Sequence, residues 1–148
     1  SSGPALQTTG IGDVNVDLGG CKKKPVCQIK QKNPWVNSGS KVLNWTLTNE
    51  TDEPLQISYI YIEWPSGNSS LKQVRLGGSN TIWQGTDYAD WAEIDSGWYG
   101  DASRRTLSPW TTKTMKFNFS RNADTYVDKY YMWVEFTNGC WVEWVKKD

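Results

Sequence analysis

Residues 130–145 read YYMWVEFTNGCWVEWV. Two alternating runs flank Asn138-Gly139, the dipeptide that most strongly signals a short β-hairpin. Alternation of this kind assigns a side to every residue. With Met132, Val134 and Phe136 turned to a core, Tyr131 and Trp133 face out. With Cys140, Val142 and Trp144 turned in, Trp141 and Val145 face out. The hairpin thus carries an outward patch of Tyr131, Trp133, Trp141 and Val145, and such patches mark contact surfaces. The plainer reading is that the chain's own N-terminal arm covers it.

The rest of the chain follows the same grammar. KVLNWTLTN places Leu43, Trp45 and Leu47 on one face, and the turn NETDEP follows. LQISYIYIEWP is rich in Ile and Tyr, and its alternation slips near Tyr59–Ile60, as at a bulge. LKQVRLGG and NTIWQG read as two short strands about a Gly-Gly turn. Residues 86–110 form a long irregular stretch. KTMKFNFS then turns Met115, Phe117 and Phe119 inward. No window holds a 3.6-residue apolar period for three turns. About seven or eight strands with turns between them predict an all-β fold, an immunoglobulin-like β-sandwich. We divide the chain into an extended arm, residues 1–20, and a sandwich domain, residues 21–148.

The composition narrows the function. The chain has 148 residues, enough for one domain with a real core. Sixteen basic residues balance sixteen acidic ones, so no basic excess favours phosphate and a nucleic-acid partner is not expected. No apolar run is long enough to span a bilayer. The chain does not begin with Met, which fits a processed or trimmed protein, although the leading SSG is equally a cloning remnant. Histidine is absent, which removes the commonest general base and metal ligand. No catalytic constellation and no cofactor motif stands out, and an enzyme is not expected.

Three cysteines, Cys21, Cys27 and Cys140, allow one disulfide and leave one thiol. Cys27 and Cys140 open the first and last strands of the sandwich, and a bridge there would contribute roughly 3–5 kcal/mol. Cys21–Cys27 is the rival pairing. A disulfide implies an oxidising compartment. Four N-x-S/T triplets, at Asn44, Asn49, Asn68 and Asn118, agree with an extracellular or cell-surface glycoprotein. Parity places Asn44 and Asn118 on the outward faces of their strands.

Two regions attract functional hypotheses. DYADWAEIDSGWYGD carries Tyr88, Trp91, Trp98 and Tyr99, with Trp83 and Trp110 nearby. Aromatic faces stack on the apolar faces of sugar rings while their polar tips stay wet. We take Trp91, Trp98, Tyr99, Trp133 and Trp141 as carbohydrate-binding or contact candidates. The plainer reading makes some of them a plug at the sandwich end. The carboxylates Asp87, Asp90 and Asp95 are calcium candidates, although their spacing does not match an EF-hand and acidic loops are mostly solvated. The second region is VNVDL, residues 14–18 of the arm. Val14, Val16 and Leu18 share one face, and Gly19-Gly20 forms a hinge behind them. Such an arm is disordered, folds back on its own sandwich, or adds a strand to a neighbour. Strand donation from chain to chain makes a filament.

The stretch NWTLTNETDEPLQISYIYIEWPSG, followed by VRLGGSNTIWQG and TLSPWTTKTMKFNFS, resembles a broad class of secreted microbial modules. These are immunoglobulin-like or carbohydrate-binding-like β-sandwiches of surface proteins and filaments. The resemblance spans roughly residues 27–145, and its motifs encode strands and turns. It implies no catalytic residues. Together these readings predict an extracellular structural subunit, pilus-, filament- or adhesin-like, that assembles by donating Val14, Val16 and Leu18 to the next copy or to another surface protein. The alternative is a non-catalytic carbohydrate-binding module with a polysaccharide as its partner.

Overall fold

The computed structural model describes residues 9–11 and 27–146. The strands are β1 (Thr9–Ile11), β2 (Ile29–Gln31), β3 (Val42–Asn49), β4 (Leu55–Glu63), β5 (Leu71–Leu76), β6 (Thr81–Asp87), β7 (Trp91–Ile94), β8 (Thr106–Leu107), β9 (Thr112–Phe119), β10 (Tyr131–Phe136) and β11 (Cys140–Trp144). They form two antiparallel sheets. One runs β1-β11-β10-β4-β7, with β8 beside the start of β4. The other runs β2-β3-β9-β5-β6. The fold is an all-β sandwich. Eight of its strands have four residues or more, so the expected count of seven or eight holds for the longer ones.

Two strands lie inside the stretch expected to be irregular. In β7, Ala92 and Ile94 are buried while Trp91 and Glu93 are exposed. Four residues of alternation among acidic and aromatic neighbours are too short a pattern to stand out. The two-residue β8 exists through its pairing with Leu55 and Gln56.

Alternation builds the core. Leu43, Trp45 and Leu47 of β3 meet Met115, Phe117 and Phe119 of β9 on one sheet. Ile60, Ile62, Met132, Val134 and Val142 line the other, and all are essentially inaccessible to water. Burial of each such side chain contributes about 1.5–3 kcal/mol. The slip in β4 is a bulge. Glu135 pairs with Tyr59 but Phe136 pairs with Ile57, leaving Ser58 as the extra residue. It resets the parity, so Leu55 and Ile57 before it and Ile60 and Ile62 after it all turn inward.

The Cys27–Cys140 disulfide is present, with Cα atoms 5.4 Å apart. It ties the segment before β2 to the start of β11, and so one sheet to the other. Cys21 lies outside the described residues. So do the proposed donor residues Val14, Val16 and Leu18. The described piece of the arm, β1, pairs with β11 of the same chain, with Thr9 opposite Val142 and Ile11 opposite Cys140.

The sequon asparagines correct an expectation. Asn44 was expected to face solvent, yet it is buried. Trp35 pairs with it antiparallel along the β3 edge, the Asn44 Nδ2 donates to the Trp35 carbonyl at 3.3 Å, and its Oδ1 accepts from Lys116 Nζ at 2.8 Å. Asn49 and Asn68 are fully buried. Asn49 Nδ2 donates to the carbonyls of Glu53, Leu107 and Ser108. Asn68 Nδ2 donates to the Tyr130 hydroxyl, and its Oδ1 accepts from the Asp124 amide. These amides knit loops to the core, and in the folded domain they leave no room for a glycan. Asn118 is half-buried on the outer face of β9.

Candidate functional site

The sheet that ends in the hairpin has an unusual outer face. Because Met132 and Val134 point inward, β10 turns Tyr131, Trp133 and Glu135 outward. Beyond its bulge, β4 turns out Tyr59, Tyr61 and Glu63. β7 adds Trp91 and Glu93, and β11 adds Trp141 and Glu143. Six aromatic rings and four carboxylates thus share one surface.

Register arranges them as a checkerboard. Tyr61 lies between Trp133 and Glu93, and Glu63 between Tyr131 and Trp91. Glu135 lies between Tyr59 and Trp141, and Trp133 between Tyr61 and Glu143. Cross-strand neighbours on one face are close enough to interact directly. Here they do so in two ways. Hydroxyl and indole donors hold the acids: Tyr59 to Glu93 at 2.8 Å, Tyr61 to Glu63 at 2.6 Å, Tyr131 to Glu143 at 2.6 Å, and Trp133 Nε1 to Glu135 at 2.8 Å. Rings also meet rings. Trp133 and Trp141 stack with centroids 4.5 Å apart and planes 9° from parallel. Tyr61 stacks on Trp91 at 6.2 Å and meets Tyr131 edge-on at 5.9 Å.

The tyrosine protons are firmly held. Desolvation and then the bond to Glu93 push the Tyr59 hydroxyl up to about 12. The bond to Glu63, then desolvation, pushes Tyr61 up to about 12. Desolvation and then the bond to Glu143 raise Tyr131 as well. Each phenol therefore stays a donor at ordinary pH. One oxygen of each carboxylate, Oε2, accepts from an aromatic partner. Between these groups lies an open depression of about 310 Å³, lined by Tyr59, Tyr61, Tyr131, Trp133 and Glu135.

The structure sorts the candidates taken from the sequence. Trp91, Trp133 and Trp141 all belong to this face. Trp91 is 48 % exposed at its edge. Trp98 and Tyr99 do not join it. Trp98 packs against the core under the Arg105 guanidinium, 4.8 Å from its ring centre, and Tyr99 lies under Arg104 at 5.2 Å. Asp87, Asp90 and Asp95 do not gather either. Among the described residues, no three acidic, histidine or cysteine side chains are placed to share an ion. The reading from sequence missed Tyr59, Tyr61, Glu63, Glu93, Glu135 and Glu143. The parity argument used for the last hairpin, carried across the bulge into β4, would have found the first three.

Among the described residues, no helix is long and apolar enough to cross a membrane. Compared with known proteins, the chain matches no family model, no curated protein and no solved structure.

Proposed function

We propose that this chain is a non-catalytic carbohydrate-binding module whose platform is the outer face of β4, β7, β10 and β11. The observation that carries the reading is the checkerboard of six rings and four carboxylates on one regular sheet face. Sugars present two kinds of surface, a patch of C–H groups and a rim of hydroxyls. The rings Trp91, Tyr61, Trp133 and Trp141 would offer apolar surface to the first, through the faces and edges not used in their mutual stacks. The carboxylates accept hydrogen bonds from the second, and charged acceptors make the stronger bonds. An open depression on a broad sheet suits a polysaccharide laid along it rather than an enclosed small molecule. The Cys27–Cys140 disulfide fits an oxidising setting, and we place the module outside the cell.

A filament subunit is the other reading of the sequence. Its donor residues lie outside the described part of the arm, and β1 pairs with its own β11. We therefore assign the function to the sheet face.

The test is retention on a panel of insoluble polysaccharides. The wild-type chain should be retained by at least one of them. Trp133→Ala and Trp91→Ala should each weaken retention about tenfold, the loss of roughly 1.4 kcal/mol of stacking. Tyr99→Ala, at a comparably exposed ring away from the face, should leave it unchanged. Retention by no polysaccharide, or equal loss in all three variants, would overturn the assignment.

A further inference from the structure

The platform's charge says which glycan it suits. The six strands of its sheet contain Glu63, Glu93, Glu135 and Glu143 and no lysine or arginine. The strands of the other sheet contain Lys30, Lys72, Arg75, Lys113 and Lys116 against a single acid, Asp87. A chain of zero formal charge is therefore divided into an acidic aromatic sheet and a basic one. Among the described residues the ion pair is Lys129–Asp124, which involves none of the four glutamates. The four glutamates are held by neutral donors alone, from Tyr59, Tyr61, Tyr131 and Trp133.

A neutral glycan explains acceptors on this face, and charged ones bind its hydroxyl groups well, but it does not explain four like charges gathered with no basic residue in the strands of the sheet. A cation gives two reasons. It is attracted to each carboxylate, and it is attracted to the electron-rich face of each ring. Resting on the carbohydrate reading above, we infer that the platform binds a glycan of amine-bearing sugars, whose rings present C–H faces to the aromatics and whose ammonium groups meet the glutamates. The checkerboard supplies both at once, since Trp133 lies between Tyr61 and Glu143 across the strands, and Glu63 accepts from Tyr61 two residues along the same strand. The opposite sign of the other sheet keeps such a ligand on this side of the molecule.

The experiment is calorimetric titration with two oligosaccharides of equal length, one of glucosamine and one of N-acetylglucosamine, in mildly acidic buffer. Hexalysine is the third titrant. Glucosamine should bind about tenfold or more tighter than its acetylated counterpart, the sum of several exposed charge pairs. That margin should shrink as salt is added. The double variant Glu63→Gln, Glu135→Gln should shrink the margin, with glucosamine losing several times more affinity than the acetylated ligand, and circular dichroism as the folding check. Equal affinity for the two sugars would overturn this inference and leave the carbohydrate reading standing. Binding of neither oligosaccharide, alongside retention by no polysaccharide, would remove both. Hexalysine binding as tightly as glucosamine, with the same loss in the double variant, would overturn the inference in favour of a basic peptide.

Discussion

Replacing Asn49 with Ala should cost this domain about 4 kcal/mol without touching the platform. The side chain is fully buried and makes five hydrogen bonds. Nδ2 donates to Glu53 O at 2.8 Å, Leu107 O at 3.0 Å and Ser108 O at 3.3 Å. Oδ1 accepts from the Thr51 amide at 3.0 Å and the Thr51 hydroxyl at 2.7 Å. The longest of these is weak, and the Thr51 hydroxyl has a second partner in the Glu53 carbonyl. Three bonds remain that nothing else can replace. Losing each costs about 1–1.5 kcal/mol when the partner stays buried, which gives about 3–5 kcal/mol. With a urea slope of about 2 kcal/mol per molar, the unfolding midpoint should fall by about 2 M. Asn49→Asp sharpens the test. It keeps the shape and the bonds to Thr51, but it aims an anionic oxygen at three carbonyls. Its folded-state pKa must then lie above the ordinary value of about 3.9. Ionisation is what the folded state resists, so the penalty is largest at neutral pH and relaxes as pH falls through that raised value. A loss below about 1 kcal/mol for Asn49→Ala, or an Asn49→Asp variant as stable as wild type at neutral pH, would refute the reasoning.

Removing the disulfide by Cys27→Ser with Cys140→Ser should lower stability by about 4–5 kcal/mol, since it frees a loop with a sequence separation of 113; differential scanning calorimetry reads this directly. Tyr130→Phe should cost about 1–3 kcal/mol by urea unfolding, because it strands the buried Asn68 Nδ2 that donates to the Tyr130 hydroxyl. Tyr59, Tyr61 and Tyr130 are each raised to about 12 from 10.0. The stability this represents is complete below pH 10 and lost as pH rises toward 12, because unfolding releases phenols that ionise earlier. Ultraviolet titration should show these tyrosines ionising late; ionisation of Tyr59 and Tyr61 at the ordinary value would contradict the hydrogen-bonded face, and of Tyr130 its burial.

What was legible in the sequence followed parity, and what was not depended on contacts distant along the chain. Met115, Phe117 and Phe119 alternate with polar residues and are buried as that pattern requires. The Asn138-Gly139 turn and the Cys27–Cys140 pairing were readable for similar reasons: a local turn chemistry, and two cysteines at the ends of the strand series. Asn44 obeys the same parity yet is buried: the segment holding Trp35 pairs with β3 along its edge, and Lys116 of the neighbouring β9 bonds the Asn44 Oδ1. No local pattern encodes those contacts. The platform was half-legible. Trp133 and Trp141 could be placed on the outside of the hairpin, but their neighbours depended on strand order. β4 and β10 are far apart in sequence, and only their pairing brings Tyr61 beside Trp133. The aromatic loop misled for the opposite reason. Trp91, Trp98 and Tyr99 are close in sequence, yet one lies on a strand and two are folded under arginines.

The Cys27–Cys140 bond also fixes how the molecule carries mechanical load. Residues 28–139 lie inside the covalent loop that it closes. Tension applied between the arm and the residues after β11 runs along the backbone to Cys27, across the sulfur bridge, and out through β11. The strands β2 to β10 are bypassed, so a pull cannot unravel them while the bridge is intact. The described parts of the fold that tension does reach are β1 and β11, which pair with each other, β11 also pairing with β10. β11 carries Trp141 and Glu143 of the platform. On the proposed function, a ligand held by β4, β7 and β10 would rest on shielded strands, whereas its contacts at β11 would be the first to yield under strain.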